Sequence, residues 1–161
     1  MRKGLIIITG IFIYGFVIAQ ESSIKGLFGN WTGQGQLFEN NAEFKMEWKS
    51  SLDGKFLELE FENGLVNDGK YQKILSAKAI YWFTDETHLK GQWYDTRGYI
   101  LPLEATFENN TLTTFWGDDK TEKGKTVYQF DEASQTISVK DFVLSGTDYR
   151  PFGEAKYSKV Q

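Results

Sequence analysis

The sequence predicts an all-β protein, built as a single antiparallel up-and-down β-barrel of about ten strands. Three observations point there. After residue 30 no segment keeps a helical period, whereas apolar and polar side chains alternate again and again. The connections between alternating runs are short and rich in Asn, Asp and Gly, the residues that tolerate the backbone of tight hairpins. About ten sequential strands must either close or leave two exposed edges, and closure removes those edges. A two-sheet sandwich of the same strands is the structural rival.

The chain opens with MRKGLIIITGIFIYGFVIAQ. Arg2 and Lys3 precede an uncharged apolar stretch from Gly4 to Ala19, the layout of a secretory signal peptide. The stretch falls short of the roughly 20 residues that span a bilayer, so cleavage after Ala19 is expected rather than a retained anchor. The expected division is a signal peptide over 1–19, a short N-terminal segment over 20–28 and a barrel domain over 29–161. Removal of Arg2 and Lys3 makes an acidic chain more acidic still. The expected location is periplasmic or extracellular, without stable membrane insertion.

Within the barrel domain the clearest strand is Glu43-Phe44-Lys45-Met46-Glu47-Trp48-Lys49, apolar at every even position and charged at every odd one. Leu57, Leu59 and Phe61 alternate with glutamates, and Leu75, Ala77, Ala79, Tyr81 and Phe83 continue the pattern. Leu89, Gly91 and Trp93 form a further run, followed by Leu101 to Phe107, Leu112 to Trp116, Thr126 to Phe130, Ile137 to Val139 and a last strand near 152–160. Turns are expected at Glu39–Asn41, Asp53-Gly54, Glu62-Asn63-Gly64, Asp85–Thr87, Asn109-Asn110, Asp118–Gly124 and Asp131–Ser134. Phe-Glu-Asn-Asn at 38–41 and 107–110 and Phe-Glu-Asn-Gly at 61–64 read as one device, an inward Phe ending a strand before an Asn turn.

Composition excludes several function classes. The 161 residues carry a net charge of −4 and contain no cysteine and one histidine, His88. Zero cysteine removes disulfides, thiolate metal sites and cysteine nucleophiles, and the acidic balance argues against nucleic acid. No Gly-x-Ser-x-Gly elbow, phosphate loop or dinucleotide fingerprint is present. Asp118-Asp119 with Glu122 lacks the spacing of a calcium loop. Asn30-Trp-Thr32 and Asn109-Asn-Thr111 match glycosylation acceptors, which matter only in a eukaryotic host. No metal or cofactor is expected.

Gly29-Asn30-Trp31 resembles the Gly-x-Trp opening of lipocalins and their calycin relatives, and Gly29-Asn-Trp-Thr-Gly-Gln-Gly35 resembles the longer opening of nitrobindin-type haem barrels. The mature chain as a whole is similar to bacterial secreted lipocalin-like domains of unassigned function, with Gly54-Lys-Phe-Leu57 and Gly124-Lys-Thr-Val-Tyr-Gln-Phe130 as further points of likeness. The resemblance implies that Trp31 plugs one barrel end beneath a late basic residue, and Arg150 is the expected cover. Gly33 and Gly35 would permit close strand approach. The nitrobindin likeness also implies a C-terminal histidine on haem iron, and residues 130–161 contain none. His88, on the polar parity of its strand, is expected at the surface.

Inward parity is heavy in rings. Trp48, Tyr81, Trp93, Phe107, Trp116 and Tyr128 are the candidate ligand-lining residues, with small residues such as Ala77, Ala79 and Thr114 interspersed to leave room. The same rings could instead fill the barrel. Arg97, in Asp95-Thr96-Arg97-Gly98, is either a turn residue paired to Asp95 or a clamp for a ligand carboxylate. Asp141 shares parity with Ile137 and Val139; it either reaches solvent at a strand end, which is favoured, or, if buried, holds a ligand or pairs with a lysine. The reading that follows is an exported lipocalin-like protein binding a small apolar or amphipathic molecule inside the barrel. An envelope interaction scaffold is the alternative, and a calycin-type enzyme is less favoured.

Overall fold

A computed structural model of the chain describes residues 24–160. The expected signal peptide, 1–19, lies outside the described residues. The ten strands are β1 (Gly29–Leu37), β2 (Asn40–Ser51), β3 (Phe56–Asn67), β4 (Lys70–Phe83), β5 (His88–Asp95), β6 (Ile100–Glu108), β7 (Thr111–Trp116), β8 (Gly124–Asp131), β9 (Thr136–Ser145) and β10 (Asp148–Lys159). Each pairs antiparallel with its neighbour in sequence, and β1 pairs with β10 to close the barrel. The sandwich alternative is thereby excluded.

Closure at the β1–β10 seam depends on small residues. A Cβ on Gly35 would stand 1.9 Å from the Glu154 carbonyl oxygen, and one on Gly33 would stand 2.8 Å from the Tyr157 ring. The two strands can approach, and Tyr157 can lie flat inside, only because these positions are bare.

Parity sorts the side chains as a closed sheet requires. Phe44, Met46 and Trp48 are buried, while Lys45, Glu47 and Lys49 point outward. Outside, Lys49 and Lys78 lie within 2.8–3.4 Å of Glu58 and Glu60, a lattice of opposite charges across β2, β3 and β4. Their mutual hydrogen bonds raise the lysine pKa values and lower those of the two glutamates.

The two barrel ends differ. At one end the 3-10 helix Lys25–Leu27 closes the interior with Ile24 and Leu27. Trp31 Nε1 donates to the Leu27 carbonyl at 2.7 Å, and the indole meets Phe130 edge-on at 6.0 Å. The opposite end, where the turns after β1, β3, β5, β7 and β9 gather, has no such plug among the described residues.

Two turn expectations need correction. Glu62-Asn63-Gly64 is not a turn: β3 runs through it with a register irregularity at Asn63/Gly64, and the chain reverses at Asp68-Gly69. The irregularity holds Asn63 buried, whereas a turn would expose it. Phe38 is not an inward strand end. It occupies the β1–β2 turn with φ 48, is 65% exposed and stacks on Phe152 at 5.2 Å.

Candidate functional site

Most of the interior is buried, Leu37, Ala42 and Leu101 near the unplugged end included. Trp31, Trp48, Leu59, Phe107, Leu112 and Ile137 are essentially sealed. Toward the unplugged end, Phe61, Trp93, Trp116, Phe152 and Ala155 remain only partly buried against this core. Trp48 stacks on Tyr81 at 5.9 Å and meets Tyr128 edge-on at 5.5 Å, so this trio bridges opposite walls of the barrel. Phe61 tilts between Phe44 and Trp93.

The candidate residues therefore occupy different depths. Trp48, Tyr81 and Phe107 lie in the sealed part, Tyr128 at its border, and Trp93 and Trp116 near the unplugged end, partly buried. Burial pushes the Tyr81 phenol up to about 12 and Tyr128 well above its ordinary value. Both remain neutral hydrogen-bonding groups at physiological pH.

A polar row crosses this aromatic interior. Thr114, Thr126, Asp141 and Gly153 are successive register partners on β7, β8, β9 and β10. Thr126 Oγ1 donates to Asp141 Oδ1 at 2.6 Å, and the Tyr81 hydroxyl approaches Thr114 Oγ1 at 3.4 Å from across the barrel. Burial pushes the Asp141 carboxyl up to about 6 against the opposing Thr126 bond. The expected strand-end exposure of Asp141 is corrected: parity carries it inward, because β9 extends to Ser145, well past it. Two further interior atoms, Trp48 Nε1 and Asn63 Oδ1, are buried without a hydrogen-bond partner. Unpaired buried polar atoms are costly in a finished core and mark a place where a guest group could bind.

Arg97 sits at the rim. Its backbone N–H donates to Asp95 Oδ1 at 2.9 Å, its Nη2 to Asp95 Oδ2 at 2.7 Å, and its guanidinium lies 4.7 Å over Tyr99. Burial works against the Asp95 carboxylate, but bonds from Arg97 and Trp93 outweigh it and lower its pKa. The turn pairing thus occupies this guanidinium. Arg150 does not cover Trp31. Lys159 does, with Nζ 5.2 Å from the ring, because Lys159 is the register partner of Trp31 whereas Arg150 pairs with Val143 near the other end.

A haem does not fit these residues. His88 lies at the surface, its Nδ1 2.9 Å from Asp85 Oδ1, and it faces no interior space. Asp85 itself is held down at about 2, chiefly by the Thr87 backbone N–H and the His88 ring. Among the described residues no three His, Asp or Glu side chains gather as a metal-binding group. The sequence signals missed Asn63, Thr126 and Lys159. Thr126 shares parity with Tyr128 and Phe130 and was open to detection; the other two depend on a bulge and on seam register.

A separate groove of about 850 Å³ crosses the outer wall of β1–β5. Its sides are Lys45, Glu47, Glu60, Glu62 and Lys78, outward residues of the charge lattice, so it lies outside the barrel.

The fold is a closed, ten-stranded antiparallel up-and-down barrel. It is similar to the crystal structure of Rv2717c from M. tuberculosis, with a TM-score of 0.68 and 12% identity over 88% of this chain and 98% of that one. It is also similar to the S-type phycobiliprotein lyase CPES from Guillardia theta, with a TM-score of 0.56 and 10% identity over 94% and 99%. At these identities the likeness is one of architecture. No protein-family model and no curated protein sequence matches the chain.

Proposed function

We propose that the chain is an exported binding protein whose barrel takes up a small amphipathic molecule through its unplugged end. One observation carries the reading: partly buried rings, Phe61, Trp93 and Trp116, lead from that end to interior polar groups left without partners. Sites of this kind, mostly apolar with a few placed polar atoms, are characteristic of small-molecule binding. The sealed end gives the guest a floor, and the rings give it area.

Mass spectrometry of protein purified from its cells under non-denaturing conditions tests this reading. A co-purifying small molecule, released by unfolding, is the expected result. A barrel that retains no added hydrophobic or amphipathic probe overturns it. Export is tested on the same sample, since cleavage after Ala19 predicts a mature mass beginning at Gln20. An interaction scaffold is the second reading, favoured by outward aromatic pairs such as Phe115–Tyr149 at 6.2 Å and Phe56–Trp82 at 6.3 Å.

A further inference from the structure

The barrel interior holds an acid without a base. Asp141 takes one hydrogen bond, from Thr126, and no cationic side chain acts on its carboxyl. The described lysines and arginines in ion pairs, Arg97 among them, are engaged with carboxylates of the outer wall, rim or loops. An ionised carboxylate in such surroundings is expensive unless something pairs with it.

The other interior groups share this bias. Tyr128 and Tyr157 lie close enough to Asp141 to feel its charge, and Phe44 tilts against Tyr157 at 6.0 Å. Ring faces are electron-rich and attract cations. Asn63 Oδ1 adds a buried acceptor with no donor, against a single orphaned donor at Trp48 Nε1. The interior therefore offers carboxylate, carbonyl oxygen and π faces, and it lacks positive charge. A neutral or anionic guest would leave Asp141 uncompensated. A guest with N–H donors and a positive charge would answer both needs.

On β10 the residue facing this carboxyl is Gly153, the register partner of Asp141. Gly153 sets no side chain against Asp141, and a Cβ there would stand a tight 3.2 Å from Oδ2. Resting on the reading of interior binding, we propose that the guest is a protonated organic amine with a ring-bearing apolar body, its ammonium seated on Asp141.

Calorimetric titration of the purified protein with three near-isosteric probes tests the proposal: 2-phenylethylamine, propylbenzene and 3-phenylpropionate. The amine is expected to bind about tenfold or more tighter than either other probe. Asp141→Asn, which keeps an acceptor for Thr126, is expected to erase that preference while hydrocarbon binding persists. Gly153→Leu, which retains the charge but sets a side chain against it, is expected to weaken all three. Equal affinities, or a preference for the carboxylate, overturn the cation assignment and leave barrel binding standing. An amine preference that survives Asp141→Asn overturns it too, and places the attraction on the acidic outer lattice. Failure of all three probes to bind removes the barrel-binding reading and the proposal together.

Discussion

At Trp31 three contacts converge on one indole. Its N–H donates to Leu27, its edge meets Phe130, and the Lys159 ammonium sits over its face. The hydrogen bond ties the plugging helix to the first strand, and the cation ties the last strand to both. Lys159→Ala is expected to cost about 0.5–1 kcal/mol, the worth of a partly exposed cation–π contact. Arg150→Ala is expected to change stability by less than about 0.5 kcal/mol. Urea unfolding of the two variants distinguishes the covers; equal losses would mean that the Lys159 contact carries nothing. His88 yields a second expectation at this scale. With its ring committed to Asp85 on the surface, haem titration is expected to give no stoichiometric Soret band, and a sharp band abolished by His88→Ala would refute that.

Among the elements, the β1–β10 seam decides whether ten strands make a barrel or a ribbon with two edges. Gly35→Ala forces a methyl group against the Glu154 carbonyl oxygen, which is backbone and cannot turn aside. A loss of about 1–3 kcal/mol is expected, with faster amide exchange along β1 and β10 than along β6 and β7. Uniform exchange across all strands would show that the seam is not the weak line. The outer lattice on β2–β4 behaves differently, since its charges are partly solvated. Glu58 bonds Lys78 at 2.8 Å and lies 3.4 Å from Lys49. Glu58→Gln is expected to cost at most about 1 kcal/mol, shrinking as salt screens the pair. A salt-independent loss would point to packing rather than charge.

For the whole molecule, alternation was enough to reveal the architecture, because period-two patterning directly encodes which face of a strand meets the interior. Trp48 and Phe107 could be placed inward from parity alone, but their depth could not. Depth depends on strand tilt and on which side chains meet across the barrel, as Trp48, Tyr81 and Tyr128 do. Asn63 was illegible for a related reason: Asn-Gly signals a turn locally, and only pairing with β4 converts it into a bulge. Asp141 was legible as a carboxylate on inward parity that could hold a ligand or pair with a lysine, but strand-end exposure was the favoured reading, since the choice turns on what surrounds it. Those surroundings make stability depend on pH. The folded protein holds the Asp141 proton up to about pH 6, well above the carboxylate's ordinary value of 3.8. Between these values the native state binds more protons than the unfolded chain, so this group's contribution to stability falls as pH rises. The full loss, on the order of 3 kcal/mol, is reached above the folded pKa. Carboxylates such as Glu58 and Asp131, whose pKa values are lowered by their partners, act in the opposite direction, so the wild-type profile alone is ambiguous. Asp141→Asn isolates the group. The variant is expected to melt higher than wild type near pH 7.5 and to lose that advantage as pH falls below about 3, where Asp141 is protonated in both states. A variant that melts lower near pH 7.5 would mean that the ionised carboxylate is stabilised within the fold.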